Sequence, residues 1–160
     1  MAAGDVVTRS HAYRQVSLLE GVIAANGVPS GASAGVPCYW DEKFQGADEG
    51  ICMPGRPALD AVLIAKVVGT AGTVTATLRL WGYNTTLAVW VPLGPGADTT
   101  KGQLNEETAI GETITDVGLH AERVHDVGLF DRIYLEVVSI GGTNAAVSAV
   151  IVTPCRAISN

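Results

Sequence analysis

Thr73-Val-Thr-Ala-Thr-Leu-Arg-Leu-Trp81 is the stretch that decides the fold of this chain. Its even positions, Val74, Ala76, Leu78 and Leu80, are apolar, and its odd positions, Thr73, Thr75, Thr77 and Arg79, are polar. Successive side chains on a strand point to opposite faces of a sheet, so the pattern predicts a strand that buries one face and wets the other. Trp81 departs from it, a large aromatic ring on the wet side. An antiparallel sandwich accounts for the alternation, and Trp81 predicts that part of the outer face meets something.

The neighbouring segments extend the same architecture. Leu59 to Val68 reads as a strand apolar on both faces, relieved by Asp60 and Lys66. Such a strand is expected to be covered on both sides, here by a second sheet and by a subunit. Gly69-Thr-Ala-Gly72 turns into the strand at Thr73, and Tyr83 to Thr86 turns again into Leu87–Leu93, where Pro92 marks an edge or an exit. Gly94 to Thr113 is a polar excursion carrying Glu106, Glu107 and Glu112, and Ile114 to Val124 holds one short strand. Arg132 to Ile140 pairs with Ala145 to Thr153 across Gly141-Gly-Thr-Asn144, a hairpin by its turn composition.

The N-terminal third is less regular. Residues 1–12 read as an arm, too poor in apolar residues to build an element alone. In Tyr13–Ile23, Ser17-Leu-Leu-Glu20 fits a helix capping box and Asn26-Gly27 a helix end, but Gly21 and Val22-Ile23 favour a strand. Asn26–Pro37 reads as a long loop, Tyr39–Phe44 as a short strand and Gln45–Pro57 as another loop. About eight strands and no helix predict an all-β chain, an antiparallel β-sandwich of jelly-roll type, with residues 13–160 forming one domain.

Composition bounds the function. A chain of 160 residues buries roughly 70% of its extended surface as one domain. Only 16% of its residues are charged, against the roughly 25% usual for soluble domains, which predicts that much of the surface is covered by a partner. The net charge is −6, and the ten Lys and Arg form no cluster, which argues against nucleic-acid binding. No apolar run approaches the roughly 18 residues of a membrane span, and Met1-Ala-Ala-Gly-Asp5 lacks the pattern of a signal peptide. Cys38, Cys52 and Cys155 are odd in number and lack zinc-site spacing; free thiols are expected, with a Cys38–Cys52 bridge the alternative in an oxidising setting.

Candidate catalytic and metal sites are weak. Gly31-Ala-Ser33-Ala-Gly35 matches a nucleophile elbow, with Asp116 and His120 following in the order of the α/β-hydrolases. The flanks, Asn-Gly-Val-Pro-Ser and Val-Pro-Cys-Tyr, supply neither the strand nor the helix that a strained elbow needs. His120 and His125, with Glu122, Asp126 and Asp131, fix no metal geometry, and Asp98, Glu106, Glu107 and Glu112 lack the spacing of a calcium loop. The chain is therefore expected to be neither an enzyme nor a cofactor protein.

Arg79, Trp81 and Trp90 are the candidate site. If Tyr83 pairs with Thr86 across Asn84-Thr85, Leu80 faces Val89 and Leu78 faces Val91. That register sets Arg79 opposite Trp90 with Trp81 on its diagonal, a patch of two indoles and a guanidinium within reach of a cation–π contact. Three occupants compete for the patch: a loop of the chain such as Gly94–Thr113, a subunit or partner, or a sugar.

Leu18-Leu-Glu-Gly-Val-Ile-Ala-Ala-Asn-Gly27, its Gly/Ser/Ala loop, and the ending Leu129-Phe-Asp-Arg-Ile-Tyr-Leu-Glu-Val-Val-Ser-Ile-Gly-Gly-Thr-Asn144 resemble small β-sandwich virion proteins of tailed bacteriophages, the capsid decoration or cement proteins. The resemblance spans about two-thirds of the chain and rests on no diagnostic motif. It implies a non-enzymatic virion protein on the capsid exterior that binds the lattice of the major capsid protein, as a trimer by preference, and stiffens the shell. A carbohydrate- or receptor-binding module and a head–tail or tail component are the alternatives.

Overall fold

The computed structural model describes residues 12–39, 51–52, 61–93, 113–124 and 127–155. Nine strands run in chain order: β1 (Ala12–Val22), β2 (Val36–Tyr39), β3 (Ile51–Cys52), β4 (Ala61–Val68), β5 (Thr75–Asn84), β6 (Val89–Leu93), β7 (Gly118–Val124), β8 (Arg132–Gly141) and β9 (Ala146–Cys155). The one helical element among the described residues is a 3-10 turn at Val127–Leu129.

The strands form two sheets, ordered β1-β9-β4-β7 and β3-β2-β8-β5-β6. Without the two-residue β3, the remaining eight strands pair first with last, second with seventh, third with sixth and fourth with fifth. The chain is thus one long hairpin of four strand pairs rolled into a sandwich, which is the jelly-roll order. The all-β sandwich expected from the alternation is the fold observed.

The alternation sets the core. On β5, Ala76, Leu78 and Leu80 are buried, and on β4 Ala61, Leu63, Ala65 and Val67 are. Ile133, Leu135 and Val137 of β8 and Val147, Ala149 and Ile151 of β9 complete the same apolar layer between the sheets. Each fully buried Leu or Ile contributes about 2 kcal/mol by leaving water. The β5–β8 register shifts between Thr77 and Leu78, so Val138 is left over as a bulge. The bulge keeps faces matched: Leu78 meets Val137 and Ala76 meets Ile140, apolar against apolar on both sides of the shift.

Several sequence expectations need correction. The segment Asn26–Pro37 is not all loop, because β2 begins at Val36. Gly35, at φ +69°, makes that entry possible; a Cβ there would lie 2.0 Å from the Ile133 carbonyl oxygen. The β5–β6 connection is four residues long rather than two, with Ala88 at φ 53°. Tyr83 therefore pairs with Trp90 and Leu80 with Leu93, not with Thr86 and Val89. Longer turns win here because Asp131 holds this one: its carboxylate accepts the Thr85 N–H at 2.9 Å and the Thr85 hydroxyl at 2.6 Å. Residues 1–11 of the expected arm, 40–44 of the expected strand and 94–112 of the polar excursion lie outside the described residues.

Candidate functional site

The expected patch lies on the outer face of the five-stranded sheet. The observed β5–β6 pairing differs from the expected one by an even number of residues, so the same side chains share that face. Arg79 and Trp81 are in contact, the guanidinium carbon 5.8 Å from the indole centroid. Trp90 is not opposite Arg79. It stands opposite Tyr83, with Trp81 on the diagonal, and its ring centroid is 5.1 Å from that of Tyr83 and 6.2 Å from that of Tyr134.

Two acceptors organise the indoles. Trp81 donates its ring N–H to Glu136 Oε2 at 2.7 Å, and Trp90 donates to the Gly31 carbonyl at 2.9 Å. Glu136 is the neighbour of Arg79 across the β5–β8 ladder and is only 6% exposed. A buried carboxylate is costly unless hydrogen-bonded, so Trp81 and Glu136 fix each other. Arg79 is different: its Nε is buried and has no hydrogen-bond partner among the described residues.

A segment of the chain itself lies on this face, and it is Asn26–Gly35. Asn26 acts as a short piece of strand at the edge of β8 beyond β2. Its side chain donates to the Leu135 carbonyl at 3.2 Å and accepts from the Val137 N–H at 2.7 Å, while its backbone N–H reaches the Val137 carbonyl. Tyr134 donates its hydroxyl to the Gly27 carbonyl, and Arg132 spreads its guanidinium over the carbonyls of Ser33, Ala34 and Gly35. These polar residues pin a loop that has no strand partner of its own. The sequence analysis missed Tyr134, Arg132, Glu136 and Asn26; only the period-two placement of Arg132, Tyr134 and Glu136 on one strand face signalled them.

The outer face of the other sheet has an aliphatic centre flanked by Gln15, Ser17, Lys66 and Arg123. Val62 lies between Val152 and Arg123, and Ile64 between Val150 and Ala121. Val62, Val68 and Leu119 are exposed, Leu119 by 73%. The doubly apolar character of β4 is present, with its outer side open among the described residues.

The candidate catalytic residues divide between the two sheets. Ser33 sits in the loop held by Arg132 on one sheet, whereas His120 and Glu122 lie on β7 of the other. A cleft of about 260 Å³ brings His120 and Glu122 together with Asp116, Thr113 and Thr115, but Ser33 does not line it. The His120 Nε2 hydrogen-bonds the Asp116 backbone carbonyl at 2.9 Å rather than a carboxylate. Burial holds the Glu122 carboxyl above the ordinary range. Asp131 is taken up by the Thr85 turn, and no three His, Cys, Asp or Glu side chains among the described residues cluster to hold a metal ion. His125, Asp126, Asp98, Glu106, Glu107 and Glu112 lie outside the described residues. Cys38 is a free, buried thiol; burial, then the Asp131 charge, push it up to about 12 against the pull of Arg132. No helix among the described residues is long and apolar enough to cross a membrane.

Fold and site together define a jelly-roll sandwich with one aromatic, self-covered face and one aliphatic face. No protein-family model matches the sequence, and no curated protein matches it. Among solved structures it is similar to the crystal structure of the SPBc2 prophage-derived protein YomS, with a TM-score of 0.40 and 12% identity over 89% of this chain and 95% of that one.

Proposed function

We propose that this protein is a non-enzymatic structural component of a tailed-phage virion, which binds the assembled lattice of the major capsid protein from outside and stabilises it. The reading is carried by the corner of Arg79 and Trp81. The indole is immobilised by Glu136, and the Arg79 guanidinium stands beside it. Arg79 and Trp81 are both half-buried on the outer face, so each still presents surface to a partner. Trp and Arg held in place before binding are also the residues that dominate interface energies. The capsid itself enters through the resemblance of Leu18–Gly27 and Leu129–Asn144 to decoration proteins. Many copies on one lattice would resist opening of the shell far more than any single contact suggests.

Co-sedimentation with expanded capsid shells of a tailed phage tests the proposal. Binding to the shells, a higher shell melting temperature, and loss of both in Arg79→Ala and Trp81→Ala are expected. A folded protein that leaves the shells in the pellet unaccompanied sinks the reading. The sugar-platform reading gains nothing from Trp90, which stands at 49° to Tyr83 and 64° to Tyr134 and has its ring N–H committed to Gly31.

A further inference from the structure

We propose that two copies of this chain pair through β7, antiparallel about a two-fold axis at Ala121, so that the four-stranded sheet continues into the second copy. The inference stands apart from what the protein binds.

β7 is the terminal strand of its sheet, hydrogen-bonded to β4 alone. Its seven residues keep an unbroken register with β4 from Gly118 to Val124, with no proline and no bulge. Among the described residues no other backbone group bonds to it. An edge of this length presents a row of free N–H and C=O groups, which proteins usually protect. The protection on the inner face is a pair of side chains, His120 and Glu122, opposite Ala65 and Leu63 of β4.

The spacing of that pair turns the guard into a recognition element. Antiparallel pairing about Ala121 places each His120 opposite Glu122 of the second copy, twice by symmetry. It also sets Leu119 against Arg123, whose aliphatic stem can cover it. Pairing about His120 instead opposes the two imidazoles, and pairing about Glu122 opposes two carboxylates. A carboxylate opposite an imidazole can hydrogen-bond, whereas two carboxylates directly opposite cost up to about 1 kcal/mol and two imidazoles gain nothing comparable, so one register is favoured. Burial already raises the Glu122 carboxyl, and the imidazole of a second copy offers it a hydrogen-bond partner. On the outer face, Leu119 and Ala121 of β7 continue the aliphatic run of Val62, Ile64, Val150 and Val152 into the second copy.

Sedimentation of the full chain tests the pairing. A dimer is expected. His120→Glu places carboxylates opposite each other and should weaken it by about tenfold or more. Adding Glu122→Lys to His120→Glu should restore it, with the circular dichroism of every variant unchanged. A monomeric chain, or an oligomer whose mass ignores His120→Glu, overturns the proposal. A second arm depends less on charge. Residues directly opposite lie about 5 Å apart at Cα, within disulfide range. Ala121→Cys should therefore link to itself under mild oxidation, and Leu119→Cys should link no more than the unmodified chain does. Equal cross-linking at both positions also overturns it.

Discussion

The two outer faces of this sandwich have been finished in opposite ways. On the five-stranded sheet, Tyr134, Arg132 and Trp90 spend their polar atoms on a loop of the same chain, Asn26 of that loop bonds back to β8, and Trp81 bonds Glu136. On the four-stranded sheet, Val62, Ile64, Val150 and Val152 form an aliphatic centre flanked by Gln15, Ser17, Lys66 and Arg123, and the face ends in an open edge strand. The first face is held by hydrogen bonds and is specific; the second is left open among the described residues and is permissive. Changes to the residues that hold the loop on the first face should therefore cost stability, and changes on the second should cost self-association while leaving the fold intact.

The sharpest break is expected at Gly35. Gly35→Ala drives a Cβ into the Ile133 backbone at a left-handed φ, which should cost about 3 kcal/mol or more in urea unfolding and release the Asn26–Gly35 loop to proteases. Trp90→Ala removes the ring between Tyr83 and Tyr134 and the bond to Gly31, and should cost about 2 kcal/mol because the side chain is only half-buried. Asn26→Ala leaves two backbone groups of β8 unpaired and should cost about 1.5 kcal/mol, with faster amide exchange at Val137 as the local readout.

Alkaline pH probes the inner side of β2. The Cys38 thiol is raised from about 9 when unfolded to about 12 when folded, so its contribution is complete below pH 9 and fades as pH rises towards 12. Stability should fall by about 1 kcal/mol by pH 10, and Cys38→Ala should flatten that part of the profile. The same thiol should react with alkylating reagents at pH 8 only at the rate of unfolding. Val62→Thr, on the aliphatic face, should move stability by no more than about 0.5 kcal/mol. A loss like that of Trp90→Ala would mean that the two faces are not built differently.

Much of the fold was legible because a half-buried strand writes its period into the chain. β4, β5, β8 and β9 carry long apolar alternations and were read nearly to their ends. β2 was not, because Gly35 and Pro37 look like loop and only four residues pair. The helix signals at Ser17–Glu20 compete with a strand in β1, which wins through its ladder to β9 and accommodates Gly21 at φ +57°. The patch was legible in part. Arg79 and Trp81 meet as the alternation requires, whereas the neighbour of Trp90 depended on a turn length that Asp131, distant in sequence, decides.

By itself the sequence determined which side chains share a face, since alternation is a local property of extended backbone and survives an even shift in register. Thr73–Trp81 therefore placed Leu78 and Leu80 inside and Arg79 and Trp81 outside without any knowledge of their partners. Only the tertiary structure decided what lies over those outer residues. Glu136 under Trp81, Gly31 over Trp90 and the open edge at β7 all arise from rolling the hairpin into two sheets, which brings together residues 55 and 59 positions apart and leaves β7 at the end of its sheet. Contacts across such separations have no local signature, because they depend on which strands become neighbours.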